Sequence, residues 1–251
     1  MGVSAGTAPG RWLRRFHPSD HAPARLVYFP HAGGAASSFH PFSARLEPAL
    51  DVLAVQYPGR QDRFAEPFAR DVDELADRVS EELLPWCDRP LGLFGHSLGA
   101  GVAYEVAVRL QRRHRAPALL VASGRRAPSC HRECEPLHLA PDDRLLAAMV
   151  ELGGTAPEVL AHEQLVRAML PVLRADLRAA ETYGPRSGNM LECPVSVLVG
   201  TDDAEVTDAE ATAWGAHTTA SCTVRRYSGG HFFLDLHADD VCRHLVSLLG
   251  A

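Results

Sequence analysis

The chain has 251 residues, enough for one substantial α/β domain with an insertion, and 46% of them are hydrophobic, enough for a real core. A formal net charge of -6 disfavours non-specific binding to nucleic acid. No apolar run reaches the roughly 18 residues that a membrane-spanning helix needs.

The first ten residues are small and polar and lack the basic-then-apolar pattern of an export signal, so they read as a short flexible leader. Six cysteines are scattered without a C-x-x-C pair. Free thiols and a cytoplasmic location are therefore expected. Cys130-His131-x-x-Cys134 has no second ligand pair at zinc-site spacing, so no metal is expected.

Arg25 to Pro30 reads as the first strand and ends in the loop signal His31-Ala32-Gly33-Gly34. Ser37 or Ser38 can cap a short helix through Leu46. Asp51 to Tyr57 is the next strand, closed by the turn dipeptide Pro58-Gly59. Val72, Leu75, Val79, Leu83 and Leu84 repeat at a helical period over Asp71 to Leu84. Pro90 to Phe94 is a strand, Leu98 to Arg113 a helix, and Ala118 to Ser123 another strand. This alternation predicts a mostly parallel sheet with helices on both faces. It resumes after residue 190 with the strand Pro194 to Val199, a helix near Asp208 to Gly215, the strand Cys222 to Tyr227 and a last helix from Asp239 to Leu249.

Between Arg125 and Asn189 the rhythm breaks. Helical periods run over Asp142–Leu152, Pro157–His162 and Gln164–Tyr183, and no convincing strand appears. This stretch reads as a helical lid inserted at the carboxyl edge of the sheet. The expected organisation is a leader and edge segment over 1–24, a first core part over 25–124, the lid over 125–189 and a second core part over 190–251.

Gly95-His96-Ser97-Leu98-Gly99 lies between a strand and a helix. A G-x-S-x-G in that setting is the nucleophile elbow of α/β-hydrolases. The serine sits in a strained turn, and its two glycines let neighbouring backbone come close. A serine hydroxyl needs a base, and the base needs an orienting acid. The order Ser, Asp, His is filled downstream. Asp202 and Asp203 follow one strand, and His231 follows the next through Gly229 and Gly230. The third residue after Gly200 is Asp203, which is taken as the acid, with Asp202 as a loop or capping residue. His31 and His96 flank the site and read as packing or hydrogen-bonded residues. An oxyanion hole needs two backbone N–H donors. Leu98, after the nucleophile, supplies one, and Ala32, in the loop after the first parallel strand, supplies the other.

Several motifs occur in order: Tyr28-Phe29-Pro30-His31-Ala32-Gly33-Gly34, Tyr57-Pro58-Gly59-Arg60-Gln61-Asp62-Arg63, the Ser97 pentapeptide, Leu173-Arg174-Ala175-Asp176-Leu177, Glu181-Thr182-Tyr183, and Gly229-Gly230-His231-Phe232-Phe233. Over about Arg25 to Leu249 the chain resembles the type II thioesterases of polyketide and nonribosomal peptide synthesis. The Tyr57–Arg63 block is its most specific signal. The resemblance implies hydrolysis of acyl groups from the phosphopantetheine arm of acyl or peptidyl carrier proteins. No cofactor is implied beyond the phosphopantetheine that the substrate carries, and no nucleic acid or membrane partner. The acid loop reads Gly-Thr-Asp-Asp, where many relatives have Gly-Asp-x-Asp-Pro.

Carrier proteins are commonly acidic and bear a phosphate on the arm, which arginine forks match. Arg125 and Arg126 follow a strand and stand either as such a docking pair or as solvated or salt-bridged residues. Arg60 and Arg63 read as structural, holding the loop beside the site. Arg109, Arg112, Arg113 and Arg115 read as a solvated face. Three other readings compete: a carboxylester hydrolase or lipase, a cyclising thioesterase of a synthase, and a catalytically silent carrier-binding module.

Overall fold

The computed structural model describes residues 10–250, apart from 131, 133, 134, 156, 185 and 187. His131 and Cys134, and with them the Cys-His-x-x-Cys fragment, lie outside the described residues. The described residues form a seven-stranded sheet: β1 (Leu13–Arg14), β2 (Ala24–Phe29), β3 (Leu50–Val55), β4 (Leu91–His96), β5 (Leu119–Ser123), β6 (Val195–Gly200) and β7 (Cys222–Tyr227). Their spatial order is β1-β3-β2-β4-β5-β6-β7. All pairings are parallel except that of β1 with β3, which is antiparallel. The sequence reading missed β1, because two residues are too short to show a period.

The helices are α1 (His40–Leu46), α2 (Val72–Leu83), α3 (Leu98–Arg112), α4 (Asp142–Glu151), α5 (Glu163–Glu181), α6 (Asp208–Thr212), α7 (Phe233–Leu236) and α8 (Ala238–Leu249). Asp71 caps α2 by accepting from the Glu74 N–H at 2.8 Å, an interaction worth about 1 kcal/mol. Among the described residues, no helix is long and apolar enough to cross a membrane.

Strands β2 to β6 are buried along their whole length, because helices cover both faces of a parallel sheet. The two faces are visible in the alternation of the strands. Val27, Phe29, Leu53, Val55 and Leu93 pack with α2 and α3 on one side. Leu26, Tyr28, Val52, Ala54 and Phe94 pack with α1 and α8 on the other. Between β5 and β6 the chain runs through α4 and α5, with no strand among the described residues, as the broken rhythm predicted. Leu145 and Met149 of α4 pack with Leu173 of α5 in a small core of their own.

The strand order reverses between β2 and β4. The chain moves from β2 outward to β3, then returns to place β4 on the other side of β2. Ligands bind at such a switch point in open α/β sheets, where loops diverge and leave a crevice. The loop carrying Ala32 leaves β2 there, and Ser97 follows β4.

Candidate active site

Ser97 adopts φ 55° and ψ −118° between β4 and α3. This is backbone that L residues rarely take, and it persists only where the surroundings hold it. The Ser97 N–H donates to the Ser123 carbonyl at 2.8 Å. The glycines have the steric role expected of them. A Cβ on Gly95 would lie 2.1 Å from the Gly99 carbonyl oxygen, and one on Gly99 would lie 2.0 Å from that of Phe29. Both contacts are with backbone, which cannot swing away.

His231 follows β7, and its Nδ1 lies 2.9 Å from Oδ2 of Asp203. His231 is 3% exposed and Asp203 is 8% exposed. An ionised carboxylate only accepts, so Nδ1 carries the proton and Nε2 presents its lone pair. That Nε2 is buried and has no hydrogen-bond partner among the described residues. The other carboxylate oxygen of Asp203 accepts the Glu205 N–H at 2.9 Å. Asp202 is exposed and takes a 3.2 Å bond from the Thr201 hydroxyl. The structure therefore brings Asp203, not Asp202, to the histidine. The Gly-Thr-Asp-Asp spelling does not disturb this.

The acid and histidine loops are joined by backbone. The Asp202 N–H donates to the Gly229 carbonyl at 2.9 Å. Gly229 turns with φ 116°. Gly200 permits the contact, since a Cβ there would lie 2.3 Å from the Gly230 oxygen and 2.4 Å from that of Gly229. The sequence reading used Gly200 only as a counting mark and missed its steric role.

Ser97, His231, Ala32 and Gly33 line one cavity of about 90 Å³, roofed by Met149 and Leu152 on the α4 side and by Leu173 and Leu177 of α5. Among the described residues, neither the Ala32 nor the Leu98 N–H has a protein acceptor. Leu98 is the first residue of α3, where N–H groups are free and the helix dipole is positive. Two unpaired donors thus border the serine.

His96 and His31 stand close by. Nδ1 of His96 lies 2.9 Å from the Ser123 hydroxyl. The His96 and His231 rings are 5.0 Å apart. Burial, with His231 and His31 nearby, holds His96 well below the ordinary histidine pKa. Burial, with His231 and Arg60 adding to it, brings His31 down to about 4. Both rings are neutral at pH 7, so neither places a positive charge beside the His231 ring.

Arg60 is buried and pairs with Asp176 of α5 through two bonds of 2.6 and 2.8 Å. Breaking one side of such a buried pair costs about 3–5 kcal/mol. Arg63 is buried as well. It donates to the Gln56 carbonyl at 2.7 Å, pairs with Glu66 at 2.7 Å and covers the Trp12 ring at 4.0 Å. Asp176 stands in the Leu-Arg-Ala-Asp-Leu motif, which by itself assigns it no role. The signal was an acid on the apolar stripe of a helix, three residues after Leu173, where a charge demands a buried partner.

Arg125 and Arg126 border a separate cavity of about 500 Å³ beside the C-terminal end of α5. This cavity is larger than the one at Ser97, but it holds neither the serine nor the histidine. Arg125 donates to the Ala180 carbonyl at 3.0 Å, and burial, with Arg126 beside it, lowers its pKa to about 10. Arg126 lies 4.0 Å from Glu205. Arg109 corrects an expectation. It is no solvated residue but bonds Asp77 at 2.6 Å, Glu105 at 2.6 Å and Asp73 at 3.0 Å, tying α3 to α2. Glu105 lies one turn back on the same helix, but Asp73 and Asp77 come from the facing helix α2, which periodicity along one helix does not reveal. Among the described residues, no group of three or more His, Cys, Asp or Glu is arranged to hold a metal ion.

The thioesterase domain family model matches residues 24–249. This chain belongs to the thioesterase family. It is 47% identical over 98% of its length to a probable cadicidin biosynthesis thioesterase of Streptomyces griseus, of which the match covers 68%. It is 45% identical over 96% of its length to thioesterase PikA5 of Streptomyces venezuelae, of which the match covers 88%. Among solved structures, the type II thioesterase BorB from the borrelidin biosynthetic cluster is 44% identical. It superposes with a TM-score of 0.90 over 97% of this chain and 99% of BorB. The thioesterase is thus a hydrolase acting on thioesters, built on the α/β-hydrolase fold.

Proposed function

We propose that this thioesterase hydrolyses acyl groups from the phosphopantetheine arm of acyl or peptidyl carrier proteins, with Ser97, His231 and Asp203 as its triad. The observation that carries the reading is His231. One ring nitrogen is held by Asp203, and the other is buried and has no partner among the described residues, on a side chain that lines the same cavity as Ser97. The likeness to relatives named for cadicidin biosynthesis and for the borrelidin cluster supports a carrier-bound substrate.

The reaction follows from the donors and acceptors present. Ser97 Oγ attacks the thioester carbonyl carbon while its proton passes to Nε2 of His231. The negative oxygen forms beside the Ala32 and Leu98 N–H groups; losing one such donor costs about 10²–10³ in rate. The C–S bond breaks, the pantetheine sulfur takes the proton from His231, and the acyl group stays on Ser97. Water then gives a proton to His231 and attacks the acyl-serine. The ester bond breaks, and Ser97 recovers its proton. Asp203 keeps the imidazole in the required tautomer and stabilises the imidazolium. In this reading the enzyme needs no metal or redox cofactor, and it works in the cytoplasm beside its synthase. The segment with α4 and α5 serves as the lid over the serine. Arg125 and Arg126 serve the carrier or the phosphate of its arm.

A panel of acyl-pantetheine thioesters, from acetyl to long chain, beside matched oxygen esters tests the reading. The wild type should release thiol, favour thioesters and give a mass shift of one acyl group on Ser97. Ser97→Ala should release none. Equal or better turnover of the oxygen esters, or thiol release by Ser97→Ala, would overturn it.

A further inference from the structure

The loop that carries Ala32 is held from outside by an ion pair whose two members come from distant parts of the chain. Oδ2 of Asp176 accepts the Gly33 N–H at 2.8 Å as well as Arg60 at 2.6 Å. The same Arg60 donates to the Gly34 carbonyl at 3.0 Å. Within the loop, the Gly34 N–H donates to the His31 carbonyl at 2.9 Å. That carbonyl belongs to the peptide plane whose other end is the Ala32 N–H. In a planar trans peptide the two point in opposite directions. Securing the His31 carbonyl against Gly34 therefore aims the Ala32 N–H the other way.

Gly33 has φ 77° and lies beneath α5, where a Cβ would be 2.6 Å from a methyl group of Leu173. Leu173 and Asp176 are three residues apart on one face of α5, so the helix caps the loop with a methyl group and a carboxylate together. Arg60 itself is secured by bonds to the Pro58 carbonyl at 3.3 and 3.2 Å, and its guanidinium lies 5.3 Å from the Tyr57 ring centre. The Tyr57 hydroxyl in turn donates to the Pro30 carbonyl at 3.4 Å, at the start of the same loop.

We propose that Arg60 and Asp176 are positioning residues for the oxyanion hole: the pair holds Gly33 and Gly34, and through them orients the Ala32 N–H toward the reacting carbonyl. The proposal rests on Ala32 being an oxyanion donor. Asp176 belongs to α5, so the donor is set only while that helix is seated. The segment over the serine then contributes to transition-state stabilisation as well as to enclosure.

Removing one partner leaves the other buried and unpaired, so single deletions confuse folding with function. The informative variants are the neutral pair Arg60→Met with Asp176→Leu, and the charge-keeping Arg60→Lys. Each is measured for Tm, for kcat and KM on an acyl-pantetheine, and for the Ki of an acyl trifluoromethyl ketone, which adds to the serine and leaves an oxyanion in the hole. The expected result for the neutral pair is a Tm near wild type, KM within about threefold, and a fall of about 10²-fold in kcat and in ketone affinity. Arg60→Lys cannot hold both carboxylate oxygens and the Gly34 carbonyl; its Tm should stay close to wild type while ketone affinity falls about tenfold. Wild-type kcat and ketone affinity in whichever variant folds would overturn the proposal. If the wild-type enzyme itself fails to bind the ketone, the reading of the hole has failed, and the proposal fails with it.

Discussion

Oδ2 of Asp203 lies 2.9 Å from Nδ1 of His231 although 28 positions separate the two in the chain. Both side chains are withdrawn from water. The carboxylate cannot relax into solvent, and the ring has one tautomer to adopt. Asp202, its neighbour, points into solvent and is tied to Thr201. Two adjacent acids thus have different environments because successive residues of the loop face opposite ways.

That contrast gives a direct prediction. Asp203→Asn should lower kcat on acyl-pantetheine by about 10³–10⁴-fold, since the amide favours the wrong tautomer. Asp202→Asn should stay within about twofold of wild type. Steady-state thiol release by the two variants checks this, and comparable losses in both would contradict the assignment.

The elbow makes a steric prediction. Gly99→Ala places a methyl group 2.0 Å from the Phe29 carbonyl oxygen. Either β2 or α3 must move, at a cost of about 3 kcal/mol, the upper end of the usual overpacking range. Chemical denaturation should show that loss together with abolished turnover. An alanine variant with a wild-type midpoint would mean that the close approach is not needed.

Acid should weaken the fold through the histidines near the serine. Burial keeps His31 near a pKa of about 4 and His96 well below its ordinary value. Between about 4 and the unfolded value of 6.5, the unfolded chain binds more protons than the folded one, so stability rises with pH there. It is present above about pH 6.5 and is lost as pH falls toward 4. The His31 share is about 3 kcal/mol at most. Thermal melts from pH 4.5 to 7.5 should show a flatter slope for His31→Gln than for wild type. Identical slopes would remove His31 as a source.

Arg126 offers a test of carrier recognition. It lies 4.0 Å from Glu205 and borders the 500 Å³ cavity. Arg126→Ala should raise KM for an acyl-carrier protein about three- to tenfold, as expected for a lost charge-assisted contact. KM for a small acyl thioester should not change. Equal shifts for both substrates would place the arginine's effect in the fold.

Much of this was legible in the chain itself. Strand, turn and helix around Ser97 are set by local sterics, and Gly95 and Gly99 announce them within five residues. The positions of Asp203 and His231 follow from counting strands, since loops at the carboxyl edge of a parallel sheet all open on one side. Composition and periodicity likewise separated the α/β core from the helical stretch between β5 and β6. What the linear pattern did not carry was contact between distant segments. Asp176 reaches Gly33 across 143 positions and Arg60 across 116, so its role required α5 to be laid over the β2 loop. Arg109 reads as a surface residue until α2 brings Asp73 and Asp77 beside it. Local backbone preference and strand order are properties of neighbours in sequence. The partner of a buried charge is decided by packing, because the charge must find whichever donor or acceptor the fold brings within reach.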